Sequence, residues 1–212
     1  MVAAPRVIRS NEHQQTLGGH PGCGVRTLAR VSDPVVDTIL SLIADFGVRV
    51  HAASPESWSS PSPCADWTAR DVVVHVGDSL FRVAETLDEL GERKIADSDD
   101  IVTSWDEAVE RFTAIVTVAD LDQVIPNLFG PFPAREVLGR FMTTDVLIHT
   151  WDLSRAIGVD ERLNPYAVSA TYEALLPLDG ILRNPGAFGL AVDAPADADE
   201  QTRLITFLGR KV

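Results

Sequence analysis

Phe141-Met142-Thr143-Thr144-Asp145-Val146-Leu147-Ile148-His149-Thr150-Trp151-Asp152-Leu153 is the stretch on which the reading of this chain turns. Residues three and four apart share one helix face. Leu138, Phe141, Asp145, Ile148 and Asp152 follow one another at 3-4-3-4 spacing and so form one stripe. The flanking members of that stripe are apolar, which predicts a face turned to the core. A carboxylate there is costly unless something positive meets it. His149 stands one turn beyond Asp145 on the same face. Upstream, the apolar segment Asp71-Val72-Val73-Val74-His75-Val76 carries another lone imidazole, His75. Two histidines and one carboxylate aimed into a helical core point to a metal site with open coordination positions.

Working outward, the stretch lies in a helix read from about Ala134 to Ile157 and stopped by Gly158. Asp33 is a good N-cap and Pro34 fits the first helical position of an earlier helix. Its apolar stripe is Val36, Ile39, Leu40, Ile43, Phe46 and Val50. A second helix starts at Thr68, with Asp71 completing a variant capping box. Val72, Val76, Leu80, Val83, Leu87 and Leu90 form its seam, and Gly91 marks its end. After the acidic loop Asp97-Ser98-Asp99-Asp100, Ser104 and Glu107 read as the capping box of a third helix through Ala108, Phe112, Ile115 and Val116. Asn164-Pro165 opens a further helix, Phe188 to Val192 reads as a short strand, and a last short helix holds Leu204, Ile205, Phe207 and Leu208.

Four long amphipathic helices make the fold class all-α, a four-helix bundle with a short C-terminal α/β appendage. Residues 1–31 read as a flexible N-terminal extension, because they are polar or Gly-rich without period. The bundle is assigned to 32–176, and 177–212 to a short segment packed on it. There is no internal repeat, no GxGxxG, no P-loop and no βαβ alternation, which removes the usual nucleotide-binding motifs.

The bulk numbers narrow the function. A chain of 212 residues with 45% hydrophobic and 23% charged content is globular. Its net charge of −13 leaves no basic stripe to neutralise phosphates, so neither nucleic acid nor an anionic membrane is an expected partner. Two cysteines, Cys23 and Cys64, make no disulfide framework, and no secretory signal is evident. No apolar run approaches the ~18 residues of a membrane span. The cytoplasm is the expected location.

Each candidate residue also has a plainer reading. His75 could be satisfied within its own helix by Asp78 or Ser79. Asp145 and His149 could form an i,i+4 ion pair worth a few tenths of a kcal/mol, although a solvated pair fits poorly in an apolar stripe. The metal reading accounts for all three together, and such a donor set suits Zn²⁺, Ni²⁺ or Fe²⁺. Asp152 reads as an acceptor behind the ligands, a candidate general acid or base, or a surface partner of Arg155. Cys64 reads as a small loop residue and Trp151 as a packing residue.

The same residues carry a family likeness. Ser62-Pro63-Cys64-Ala65-Asp66-Trp67-Thr68-Ala69-Arg70-Asp71, continuing to His75, resembles one signature of the mycothiol-dependent maleylpyruvate isomerase N-terminal family within the DinB/YfiT-like superfamily. Asp145 to Gly158, with His149, Trp151, Asp152 and Arg155, resembles its second. The tail from Ala196 to Arg210 resembles the C-terminus of one actinobacterial branch. The resemblance implies a DinB-like bundle holding a divalent metal, zinc first and nickel second, on His75, Asp145 and His149. It also implies a small-molecule thiol, mycothiol, as co-substrate in an isomerase or transferase acting on a small electrophile, and a homodimer. The chain departs from the isomerase in having the shorter Asp145 where a Glu stands, and in lacking a clear match to its separate C-terminal domain. A non-catalytic metal-binding or dimerisation domain is the rival expectation.

Overall fold

Asp33 starts the first helix as expected: its side chain accepts the Val35 N–H at 3.0 Å, with Pro34 next. The helix α1 (Pro34–Ala52) buries Val36, Ile39, Ile43, Phe46 and Val50, and adds Leu42. The computed structural model describes residues 33–88, 100–183 and 188–212. The extension read over 1–31, Leu90, Gly91 and the first part of the acidic loop lie outside these residues.

The box at the head of α2 (Ala69–Asp88) is reciprocal. The Thr68 N–H donates to Asp71 Oδ2 at 2.8 Å and the Asp71 N–H to Thr68 Oγ1 at 3.3 Å. The third helix differs from its sequence reading. Helix α3 (Ile101–Val116) is capped by Asp100, whose Oδ1 accepts the Val102 and Thr103 N–H groups at 3.1 Å each. Ser104 lies inside the helix and is buried. Starting one turn earlier buries Ile101, and one carboxylate oxygen satisfies two orphan N–H groups where the Ser104 box was expected to act.

A hairpin follows, with β1 (Val124–Ile125) antiparallel to β2 (Phe132–Pro133) in the register Val124↔Pro133 and Ile125↔Phe132. It is the only sheet among the described residues. The helix predicted from Ala134 to Ile157 is present with an internal irregularity. It runs as α4 (Ala134–Glu136), a π-helical stretch over Val137–Met142, and α5 (Thr143–Ile157), which Gly158 ends at φ 74°. Thr143 Oγ1 donates to the Leu138 carbonyl five residues back at 2.9 Å, which fits the wider turn.

Helices α1, α3, α2 and α5 close a ring, each packed on the next and α5 back on α1. Helix α5 is buried without a break from Val146 to Ser154. Its hydroxyls tolerate burial because Thr144, Thr150 and Ser154 each donate to a carbonyl one turn back, at 2.8, 2.7 and 2.7 Å. The Phe46 and Trp105 rings meet at 4.8 Å between α1 and α3.

The C-terminal part is α6 (Pro165–Leu175), capped by Asn164 through the Tyr166 and Ala167 N–H groups, then α7 (Asp179–Leu182) and α8 (Glu200–Phe207). The strand expected over Phe188 to Val192 is absent. That segment has no ladder partner, and the Val192 N–H bonds instead to the carbonyl of Thr206 in α8 at 2.9 Å. Leu204 and Ile205 of α8 join the core, so the chain is all-α with a short appendage. No described helix is long and apolar enough to cross a membrane.

Candidate metal centre

Two helices and one loop converge on a single point. His75 comes from α2, whose register is set by the Thr68 box, and Asp145 and His149 come from successive turns of α5. His75 Nε2 lies 3.2 Å from both Asp145 carboxylate oxygens, and His149 Nε2 lies 3.4 Å from Oδ1. One donor atom from each of the three falls within 4.8 Å of the others. Ligands about 2.0–2.1 Å from a tetrahedral zinc stand roughly 3.4 Å apart, so this spacing accommodates such an ion. Two imidazole nitrogens and one carboxylate oxygen also match borderline divalent metals in chemistry, and they leave coordination positions open.

The expected trio is therefore brought together, with His75 Nε2 in contact across the bundle with Asp145. Asp145 and His75 are partly exposed at the rim, whereas the His149 side chain is 6% exposed. Burial alone would raise the Asp145 carboxyl, but hydrogen bonds and charge from His149 and His75 outweigh it and hold it well below the usual carboxylate range. Burial would likewise lower His149, yet Asp145 and Asp152, with Cys64 behind them, hold it well above its ordinary value.

The far nitrogen of His149 is equally committed. His149 Nδ1 lies 2.9 Å from Asp152 Oδ2, and Asp152 is fully buried. A ligand histidine whose other nitrogen donates to a carboxylate has its tautomer and ring orientation fixed. The Asp152–Arg155 surface pair offered as an alternative is not formed. Arg155 instead makes a two-pronged pair with Glu161 at 3.0 and 2.9 Å and lies over the Trp151 ring at 4.4 Å. The partner of Asp152 is Arg210, beyond α8, with Nη2 at 2.9 Å from Oδ2 and Nε at 3.3 Å from Oδ1. Burial works against the Asp152 carboxyl, but His149 and Arg210 together lower it below its usual value.

Two further residues were not legible as site members. The Ser60 to Ala69 loop is drawn tight by Ser62 N–H to the Trp67 carbonyl at 2.8 Å and Ala69 N–H to the Ser60 carbonyl at 2.9 Å. Asp66 turns it through a left-handed φ of 65°, which a short polar side chain tolerates. The loop thereby lays Trp67 against both imidazoles, 4.9 Å from the His75 ring and 5.7 Å from the His149 ring. It also sets Cys64 Sγ 3.2 Å from Asp152 Oδ2, 3.9 Å from His149 Nδ1 and 3.4 Å from Arg210 Nη2. Cys64, His149 and Asp152 form a second donor group on paper. The Arg210 guanidinium already supplies the cation there, so the metal-competent face of His149 is the Nε2 side.

Two uncharacterised proteins of Mycobacterium tuberculosis, from strains CDC 1551 / Oshkosh and ATCC 25618 / H37Rv, are each 27% identical over 173 residues, covering 79% of this chain and 92% of theirs. No solved structure matches the chain. The family model described as the mycothiol maleylpyruvate isomerase N-terminal domain matches residues 40–154, a span that holds His75, Asp145, His149 and Asp152. The chain belongs to the mycothiol maleylpyruvate isomerase N-terminal domain family.

Proposed function

We propose that this protein is a divalent-metal, thiol-dependent transferase or isomerase, with zinc the first choice of metal, mycothiol the thiol and a small electrophile as acceptor. The observation that carries the reading is the convergence of His75, Asp145 and His149 from two helices, with the spare nitrogen of His149 tied to a buried carboxylate. A bound divalent ion supplies a Lewis acid that favours the thiolate form of an incoming thiol at neutral pH. His149 is held in one tautomer by Asp152, so its Nε2 lone pair points to the open face. Asp145 supplies the only carboxylate on that face within the trio. Trp67 walls one side of the two imidazoles. Asp152 acts through His149 and is a positioning residue in this scheme.

Metal content of tag-free protein by mass spectrometry, beside His149→Ala, tests the site. About one divalent ion per chain that is lost in the variant is expected, and an unchanged metal content in the variant would refute the assignment. Mycothiol consumption with a chromogenic electrophile then tests turnover. Metal binding with no thiol chemistry across a panel of electrophiles would instead leave the non-catalytic metal-binding domain.

A further inference from the structure

The span matched by the family ends at residue 154, yet the support of His149 does not. From the C-terminal segment, Arg210 reaches back 58 positions to Asp152. Its side chain is 10% exposed and that of Asp152 is 0% exposed. Nη2 and Nε take the two oxygens of one carboxylate at 2.9 and 3.3 Å, a forked contact that fixes the carboxylate in plane. Nη2 also meets Cys64 Sγ at 3.4 Å, and Nη1 donates to the Leu208 carbonyl at 2.9 Å. The guanidinium is thus fixed by its own segment on one side and fixes the support of His149 on the other. Phe188 lies under it, 5.7 Å from ring centre to guanidinium carbon.

Resting on the metal reading above, we propose that Arg210 is a positioning residue of the metal centre, so that the C-terminal segment completes the site that the bundle begins. The chain of contacts is Arg210 to Asp152, Asp152 to His149 Nδ1, and His149 Nε2 to the open face. Without Arg210, the Asp152 carboxylate keeps the His149 Nδ1 and Cys64 thiol contacts, both on Oδ2, and loses the fork that held its plane. The imidazole then samples orientations in which Nε2 misses the point shared with His75 and Asp145. Asp152 is the contact one shell behind the ligand, where a loss typically changes metal affinity by about 10–100-fold, and Arg210 acts on the metal only through it.

The test is Zn²⁺ affinity of the tag-free full chain, measured by competition with a chromogenic chelator, for wild type, Arg210→Ala, Arg210→Lys and His75→Ala. Helicity and metal-free unfolding are recorded for each. A loss of affinity at the low end of that range, about 10-fold, is expected for Arg210→Ala at retained helicity, because Asp152 itself stays in place. Arg210→Lys should recover only part of it, because an ammonium returns the charge without the fork. The visible spectrum of bound Co²⁺ should also change in Arg210→Ala, since it reports ligand geometry, which a purely stabilising arginine would leave alone. Affinities of Arg210→Ala and Arg210→Lys within twofold of wild type would overturn the proposal while leaving the metal site standing. Failure of wild type itself to bind Zn²⁺, or equal binding by His75→Ala, would overturn the metal reading beneath it. Should Arg210→Ala not fold, Arg210→Lys alone decides: an affinity equal to wild type together with an unchanged Co²⁺ spectrum rejects the fork.

Discussion

Asp152→Asn is the perturbation that most directly probes how this site is built. The substitution keeps shape and removes one charge from a position with no solvent exposure. Arg210, itself nearly buried, then faces a neutral amide, and the carboxamide cannot accept from both Arg210 and His149 as well as the two carboxylate oxygens do. Removing one partner of a buried pair costs about 3–5 kcal/mol. The amide keeps one acceptor for Arg210, which places this variant near the lower end, at about 3 kcal/mol. For a domain of this size, each kcal/mol moves the melting midpoint by about 2–4 °C, so a fall of about 6–12 °C is expected. The assay is denaturant unfolding of chelator-treated protein followed by far-ultraviolet circular dichroism, with Arg210→Ala and the double variant completing a cycle. Because the two residues share one interaction, the second substitution should cost much less once the first is made, with a coupling of about 2 kcal/mol. A loss below about 1 kcal/mol for Asp152→Asn, or strict additivity in the cycle, would refute the view that this pair braces the core of the site.

Other outcomes follow from the same geometry. In metal-free protein His149 has a raised pKa, so its contribution is full below its ordinary 6.5 and fades as pH rises through the folded value. Asp145 has a lowered pKa, so its contribution is present above its ordinary 3.8 and fades only as pH falls through the folded value. Thermal scans of chelated protein should therefore show stability declining on the alkaline side, while Zn²⁺ affinity rises with pH because the metal needs the unprotonated imidazole. Adding Zn²⁺ at about a hundred times its Kd should contribute about 2.7 kcal/mol, and a chelator should reverse it; a midpoint indifferent to both would count against binding to the folded state. Paramagnetic Ni²⁺ should quench Trp67, which lies against both imidazoles, and Trp67→Phe should abolish most of that change while leaving the affinity in place. Ile148→Ala, at a fully buried position beside His149, should cost about 2–5 kcal/mol by the unfolding assay.

What the chain discloses without coordinates is whatever its own local periodicity encodes. Asp33, Thr68 with Asp71, and Asn164 are caps that act within three residues, so the starts of α1, α2 and α6 were readable. Asp145 and His149 were readable as a pair because one helical turn joins them, and His75 because an imidazole in an apolar segment needs a partner. The start of α3 was misplaced because Asp100 and Ser104 are both good caps, and the burial of Ile101 decides between them. The π-helical stretch before Asp145 leaves no signature in the spacing of the apolar residues. Arg210 and Cys64 stand 58 and 88 positions from Asp152, and no spacing rule reaches that far. Trp67 was visible as a residue of the loop, but its place over the imidazoles depends on the left-handed turn at Asp66.

The charges of this contact network bear on what it can hold. With neutral imidazoles, Asp145 and Asp152 contribute two negative charges and Arg210 one positive, leaving a net of minus one. Arg210 and Asp152 offset each other in the buried half of the network, so the uncompensated charge is Asp145, at the more exposed end. A dication there turns the net to plus one, which suits one anionic ligand in the open position. A thiolate, a carboxylate or a hydroxide would balance that charge, and neutral water would leave it in place. The chain carries −13 overall, so long-range attraction of such an anion is unfavourable and its recognition has to be local. Neutralising Asp145 as Asn would raise the net by one more and should weaken the cation more than the anion. If Asp145→Asn instead bound Zn²⁺ as tightly as wild type, the carboxylate would not be a ligand and the charge argument would fail with it.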